Sequence, residues 1–141
     1  MSKADDVLEF MTACAQPVRD TPTVITDQEK WERFLMLTEE FSEHKKALAD
    51  LKKAVEYHSK DGTRQAMTDL ADSIIDMVYI LIGTALAYGF DFDELWRLVH
   101  ENNMSKVDPT TGKVVKVNGK VQKPEGFVPV DLRSSIYPPK H

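Results

Sequence analysis

The residues of this chain whose type and spacing could do chemistry are two groups of carboxylates, Glu39-Glu40-x-x-Glu43 and Asp69-x-x-Asp72-x-x-x-Asp76. On a helix turning about 100° per residue, Glu43 falls between its two companions, about 40° from Glu39 and about 60° from Glu40. The aspartates, at i, i+3 and i+7, lie within a stripe about 60° wide. Around them Leu70, Ile74, Ile75, Met77, Val78, Tyr79, Ile80, Leu81 and Ile82 cover nearly every direction, which predicts a helix buried on all sides. Like charges in a poorly solvated site raise each other's pKa or recruit a cation, and clustered oxygen donors suit Mg²⁺ or Mn²⁺. Either stripe alone could be a solvated edge, and the glutamate stripe points away from Phe34, Phe41 and Leu48. If the two helices pack antiparallel, however, Glu39, Glu40, Glu43, Asp69 and Asp72 can converge on divalent ions that activate water and neutralise a polyphosphate.

The elements that must position these groups are helical. Ser2 with Asp5 predicts an N-cap for a short first helix carrying Val7, Leu8, Phe10, Met11 and Cys14, which Pro17 stops. Residues 16–25 read as an extended connection, and Thr26-x-x-Glu29 is a capping box opening a long second helix. Its apolar side is marked by Trp31, Phe34, Leu35, Phe41, Leu48, Leu51 and Val55, and it runs to about Tyr57 before Asp61-Gly62 ends it. Thr63 can cap the third helix, which carries the aspartates to a C-cap near Gly89. Asp91 and Glu94 open a fourth, through Leu95, Trp96, Leu98 and Val99 to about Asn102. Beyond Met104, Asn118-Gly119 between Val-rich segments is a hairpin turn signal, because both turn positions need φ > 0. The remaining tail, from Pro124 to His141, reads as extended and then loose. The expectation is a single domain over 1–141, a compact all-α four-helix bundle (1–104) with a C-terminal β-hairpin and extended tail (105–141). Cys14, Tyr79 and Trp96 read as packing residues.

With 141 residues and a net charge of −5, the chain fits one domain and is poorly suited to binding a nucleic-acid backbone. A single cysteine excludes an internal disulfide and fits a reducing cytoplasm. The start of the chain has no apolar leader, and the apolar run over residues 74–86 is shorter than a bilayer requires, so no membrane association is expected. None of the four histidines stands three residues after a carboxylate, which argues against a di-iron bundle and for oxygen-only coordination of a hard cation. A non-catalytic, metal-binding helical interaction module is the alternative from a different class.

The paired stripes resemble those of the all-α nucleoside triphosphate pyrophosphohydrolases, a superfamily that includes MazG, the dimeric dUTPases and phosphoribosyl-ATP pyrophosphohydrolase. Its pattern is E-E-x-x-E followed on the next helix by E-x-x-D, here Glu39-Glu40-x-x-Glu43 and Asp69-x-x-Asp72, with Asp69 replacing the usual Glu. Three further segments resemble the small stand-alone MazG-like proteins of bacteria and phages. These are Asp72-x-x-x-Asp76-Met77-Val78-Tyr79, Asn103-Met104-Ser105-Lys106 and Lys123-Pro124-Glu125-Gly126-Phe127-x-Pro129-x-Asp131.

The resemblance implies a MazG-like bundle that hydrolyses a nucleoside triphosphate to the monophosphate and pyrophosphate. It implies Mg²⁺, with Mn²⁺ as substitute, on Glu39, Glu40, Glu43, Asp69 and Asp72. The substrate could be a dUTP- or dGTP-like nucleotide, the assembly a homodimer or a tetramer built from dimers, and the location the cytoplasm, the host's if the chain is phage-encoded. Among the glutamates, Glu40 is the expected general base. Asp76 stands outside the five carboxylates and could orient one of them, and Asn103 and Lys106 could contact phosphate or nucleotide.

Overall fold

The computed structural model of the chain describes residues 1–140, so His141 lies outside the described residues. Its elements are α1 (Lys3–Ala13), α2 (Asp27–Glu56), α3 (Lys60–Ala87), α4 (Phe92–Met104), β1 (Val107–Asp108), β2 (Lys113–Val114), β3 (Lys116–Val117), β4 (Lys120–Val121) and α5 (Arg133–Ile136). The protein is mostly helical with a small β element near its C-terminus, the expected class. It divides into two compact units, Met1–Gly89 and Phe90–His141.

In the first unit, α1 begins where Ser2 and Asp5 cap each other's backbone N–H groups, and α2 opens on the reciprocal pair Thr26 and Glu29. Each such box satisfies two donors that a helix start would otherwise leave bare. The long α2 is uninterrupted to Glu56. The link to α3 is tighter than the Asp61-Gly62 reading: His58 takes a left-handed φ of 53°, Ser59 accepts from the Gly62 N–H, and residues 61–62 lie inside the first turn of α3. Ser59 rather than Thr63 is therefore the N-cap. So short a connection makes α2 and α3 antiparallel.

The connection over residues 16–25 caps the far end of that hairpin. A helix C-terminus leaves carbonyls without partners, and here Arg19 N–H donates to Leu86 O at 3.1 Å and Thr23 N–H to Tyr88 O at 2.8 Å. The Arg19 guanidinium adds 2.8 Å to Ala87 O while pairing with both Glu29 oxygens at 3.0 Å, which holds the Glu29 carboxyl below its usual range. Gly89, at φ +77°, sits against the Thr21 carbonyl where a side chain would collide. α1 packs on α3 through buried Val7 and Met11, with Phe10 edge-on to Tyr79 at 5.9 Å. Cys14, expected in that packing, is exposed just beyond the helix end.

Two expectations about burial are overturned. The third helix is not enclosed: Ile74, Ile75, Val78 and Leu81 are all exposed, and on α2 so are Trp31, Phe34, Leu35, Phe41, Leu48 and Val55. The buried residues of α2 are instead Ala47 and Ala54. One short helix and one antiparallel partner cannot cover every apolar direction of two helices of 30 and 28 residues.

In the second unit, Asp91 caps α4 by accepting from Glu94 N–H, and Trp96, expected to be packed, is exposed beside Phe92. The Asn118-Gly119 turn joins β3 to β4 with both residues at positive φ, 53° and 78°, in antiparallel register Val117 to Lys120. An unexpected second antiparallel pair, β1 with β2, precedes it in the chain. The tail is not wholly extended. Asp131 accepts from the Ser134 N–H and hydroxyl to start the one-turn α5, and Asn102 Nδ2 donates to Val128 O at 2.7 Å, tying the tail to α4.

Candidate active site

Contacts along the α2–α3 hairpin place its layers in order. Arg33 donates to Thr84 Oγ1 at 2.9 Å and to Ile80 O at 2.7 Å, His44 Nδ1 meets Ser73 Oγ at 3.0 Å, and Ala54 lies beside Gly62. Between the first two of these layers the carboxylates meet. Glu40, Glu43 and Asp76 each bring one oxygen to within 4.8 Å of the others. Glu40 and Asp76 are half-buried and Glu43 is exposed, so the cluster sits at the open edge of a helix interface.

Glu40 is the most perturbed member. Loss of solvent, followed by repulsion from Glu43 and Asp76, a hydrogen bond shared with Glu43 and the charge of Asp72, pushes its carboxyl up to about 7. Its Oε2 is buried without a hydrogen-bond partner. A buried acceptor left unpaired is costly, and the three carboxylates that meet here form a hard, anionic donor set. Such a set fits a divalent cation of the Mg²⁺ or Mn²⁺ type better than any uncharged partner.

The expected residues divide accordingly. Glu40 and Glu43 are brought together, and the aspartate that joins them is Asp76, which the sequence reading left outside. Asp72 is close enough to raise the Glu40 pKa and lines a cleft of about 210 Å³ with Glu43, Lys46, Ala47, Asp50 and Asp69. Asp69 is in that cleft but not in the cluster, and its carboxylate accepts from Gln65 at 2.8 Å. Glu39 is exposed and also outside the cluster. Glu40 and Glu43 face α3, and Phe34, Phe41 and Leu48, from which the stripe points away, lie on the exposed side of α2. Asn103 and Lys106 belong to the second unit, where Lys106 Nζ donates to Asn103 Oδ1 at 3.0 Å.

Sequence reasoning missed the His44–Ser73 pair. Ser73 is 2% exposed and gives its hydroxyl proton to Leu70 O at 2.8 Å, so it must accept from His44, which fixes a proton on Nδ1. The two residues adjoin Glu43 and Asp72 in sequence, and their bond locks α2 against α3 next to the carboxylates. The only signal was a small polar residue in the midst of an apolar helix.

A helical hairpin presenting convergent acidic side chains defines the all-α, carboxylate-site class of phosphoanhydride hydrolases. The sequence model of the phosphoribosyl-ATP pyrophosphohydrolase family matches residues 7–103, and the chain belongs to that family, within the MazG-like all-α superfamily. No curated protein matches the chain. Enzymes of the family are hydrolases that act on phosphoric anhydrides of nucleotide substrates and generally need a divalent metal. They are small and soluble. By length and composition α3 is apolar enough to cross a membrane, and it carries Asp76 into contact range of the carboxylates of α2, with Asp72 beside them.

Proposed function

We propose that the protein is a Mg²⁺-dependent nucleoside triphosphate pyrophosphohydrolase that converts a (d)NTP and water to the monophosphate and pyrophosphate. The observation that carries this reading is the convergence of Glu40, Glu43 and Asp76, each bringing one oxygen to within 4.8 Å of the others, with Glu40 Oε2 buried and unpaired. Glu43 and Asp76, with Asp72 beside them, would hold the cation, and Glu39 and Asp69 could add ligands from the flanks. A bound divalent ion supplies charge neutralisation on the polyphosphate and lowers the pKa of nearby water.

Glu40 is the best candidate for the general base, since a carboxyl poised near neutral pH both accepts and returns a proton at working pH. It takes one proton from the attacking water. The water oxygen bonds to the α-phosphorus, the bridging α–β P–O bond breaks, and pyrophosphate leaves intact. Burial first, and then repulsion from Glu43 and Asp76, makes Glu40 harder to ionise in the absence of cation.

We infer also that the chain works as a homo-oligomer in the cytoplasm, a dimer or a dimer of dimers, acting as a single MazG-like domain. The exposed apolar residues of α2 and α3 support the assembly, because a run of large apolar side chains this extensive marks an interaction surface.

The test is a panel of NTPs, dNTPs and phosphoribosyl-ATP with Mg²⁺, resolving pyrophosphate from orthophosphate. Pyrophosphate release that stops in EDTA supports the proposal. Orthophosphate as first product refutes α-phosphorus attack, and metal-dependent thermal stabilisation with no turnover of any nucleotide replaces the enzyme by a metal-binding interaction module.

A further inference from the structure

One half-buried cation on the α2–α3 interface, Arg33, has no counter-charge. It donates from Nε to Thr84 Oγ1 at 2.9 Å and from Nη2 to Ile80 O at 2.7 Å, both on α3. A guanidinium has five N–H groups, so both protons of Nη1 and the second of Nη2 are left over. Among the described residues no carboxylate lies within ion-pair distance of Arg33, whereas Arg19 is paired with Glu29 and Arg97 with Glu94 and Glu101. Loss of solvent holds the Arg33 pKa below the usual arginine value, and no carboxylate offsets it. A charge taken partly out of water without a partner is costly.

Latching α2 to α3 does not account for that charge. Thr84 Oγ1 and Ile80 O are neutral acceptors, and the Thr84 hydroxyl already donates to Ile80 O at 2.9 Å. Nor is the guanidinium placed by chance: it lies against α3 at Gly83, where a side chain would collide with Nη2. Its position relative to the carboxylates points to the missing partner. Arg33 stands seven residues before Glu40 in the same series of α2, and Ile80 four residues beyond Asp76, about 10 Å and about 6 Å along the two helix axes. The carboxylate cluster and the guanidinium are thus uncompensated charges of opposite sign in successive layers of one helix pair. A polyphosphate drawn at one end by a cation on the carboxylates carries anionic oxygens at its other end, and the fork of an arginine matches such oxygens two at a time.

We propose that Arg33 binds the β- and γ-phosphates of the substrate, and so the pyrophosphate leaving group, making it the residue that selects a triphosphate over a diphosphate. The identity of the occupant rests on the activity proposed above. The uncompensated cation does not. This placement also orients the nucleotide, with its phosphate tail toward the C-terminal end of α3 and its nucleoside toward the cleft lined by Asp69 and Asp72.

The experiment is calorimetric titration of the full chain, saturated with Mn²⁺, with inorganic pyrophosphate, so that no turnover is involved. Wild type should bind. Arg33→Gln should weaken binding about tenfold and Arg33→Lys about threefold, since an ammonium keeps the charge but not the fork, and Mn²⁺ affinity should be unchanged in both. In turnover assays wild type should favour a nucleoside triphosphate over the matching diphosphate, and Arg33→Gln should lose about tenfold of that preference through a raised KM for the triphosphate. A residue that only latches the helices would slow both substrates alike. The proposal is overturned if wild type fails to bind pyrophosphate, if both variants bind it as wild type does, or if triphosphate and diphosphate turnover fall by the same factor. Where Arg33→Gln no longer binds Mn²⁺, Arg33→Lys decides: weaker pyrophosphate binding at wild-type Mn²⁺ affinity keeps the proposal, and loss of Mn²⁺ affinity here too makes Arg33 a latch and overturns it. A chain that hydrolyses no nucleotide yet loses pyrophosphate binding in Arg33→Gln refutes the activity and keeps this anion site. Normal triphosphate turnover with pyrophosphate binding indifferent to Arg33 does the reverse.

Discussion

On the side of α2 that meets α3, the buried residues are Ala47 and Ala54, and Arg33, Glu40 and His44 are half-buried beside them. About 100° around the same helix, Phe34, Phe41, Leu48 and Val55 are 56%, 53%, 48% and 56% exposed. Positions 33, 40, 47 and 54 form one seven-residue series, and positions 34, 41, 48 and 55 form another offset by a single residue. The first series brings two helices together over small side chains, leaving room for carboxylates to meet. The second carries large apolar side chains that are about half exposed. The carboxylate cluster therefore sits on the series that buries little apolar area, and the bulkier apolar side chains of this helix lie on the other series, largely exposed.

The comparison breaks most visibly at the inner face. Glu40→Gln should lower turnover by a factor on the order of 10² or more while calorimetry still detects Mn²⁺ binding. Asp76→Asn should lose Mn²⁺ binding first, with turnover falling as a consequence. Asp69→Asn, outside the three-carboxylate cluster, should change turnover only a few-fold. An Asp69 effect equal to that of Asp76 would move the metal centre toward the 210 Å³ cleft.

The outer face is probed by Phe41→Glu. If this face joins copies of the chain, the variant should sediment as a smaller species and melt at a lower temperature, because a charge replaces a large apolar contact at the seam. Unchanged sedimentation of an oligomeric wild type would place the seam elsewhere, and a well-folded wild-type monomer at micromolar concentration would remove the assembly altogether. On the inner face, Ala47→Leu should cost about 1–3 kcal/mol, since added methylenes at a close helix contact force the helices apart. Chemical denaturation of wild type and variant measures it.

A subtler effect is the pH dependence of the metal-free protein. Glu40 titrates near 7 in the folded chain against an ordinary 4.5. Below about 4.5 it is protonated folded or unfolded. Between the two values only the folded chain keeps the proton, so the stability contributed is lost as pH rises through 7. Melting in EDTA should therefore occur at lower temperature at pH 8 than at pH 6, and Glu40→Gln should reduce that difference. With Mn²⁺ the dependence should weaken or reverse, because a cation beside Glu40 favours its ionised form. The smallest effect is expected for Ser73→Ala, about 1–2 kcal/mol from leaving His44 Nδ1 without its acceptor.

Much of this was legible in the residues themselves. Ser2, Thr26 and Asp91 started their helices as expected because a side-chain cap is a contact across three residues and needs no tertiary partner. Asn118-Gly119 turned the hairpin for the same local reason. The family likeness was legible too, since order and spacing of short motifs survive without coordinates. The link between α2 and α3 was not. Asp61-Gly62 looks like a helix end, but Ser59 reaches the Gly62 N–H first and a left-handed His58 makes the reversal.

Which face of α2 meets α3 was likewise decided only by tertiary structure. A wheel shows that Glu39, Glu40 and Glu43 share a side and that Phe34, Phe41 and Leu48 share another, and hydrophobicity alone favours burying the second. The bonds from Arg33 to Thr84 and from His44 to Ser73 set the rotation of one helix against the other, and that rotation selects Asp76 over Asp69 to join Glu40 and Glu43. The sequence determined that carboxylates would gather on two helices. Which of them touch depends on a rotation of α2 against α3 that no residue encodes by itself, because it is fixed by pairs of side chains 29 and 51 positions apart.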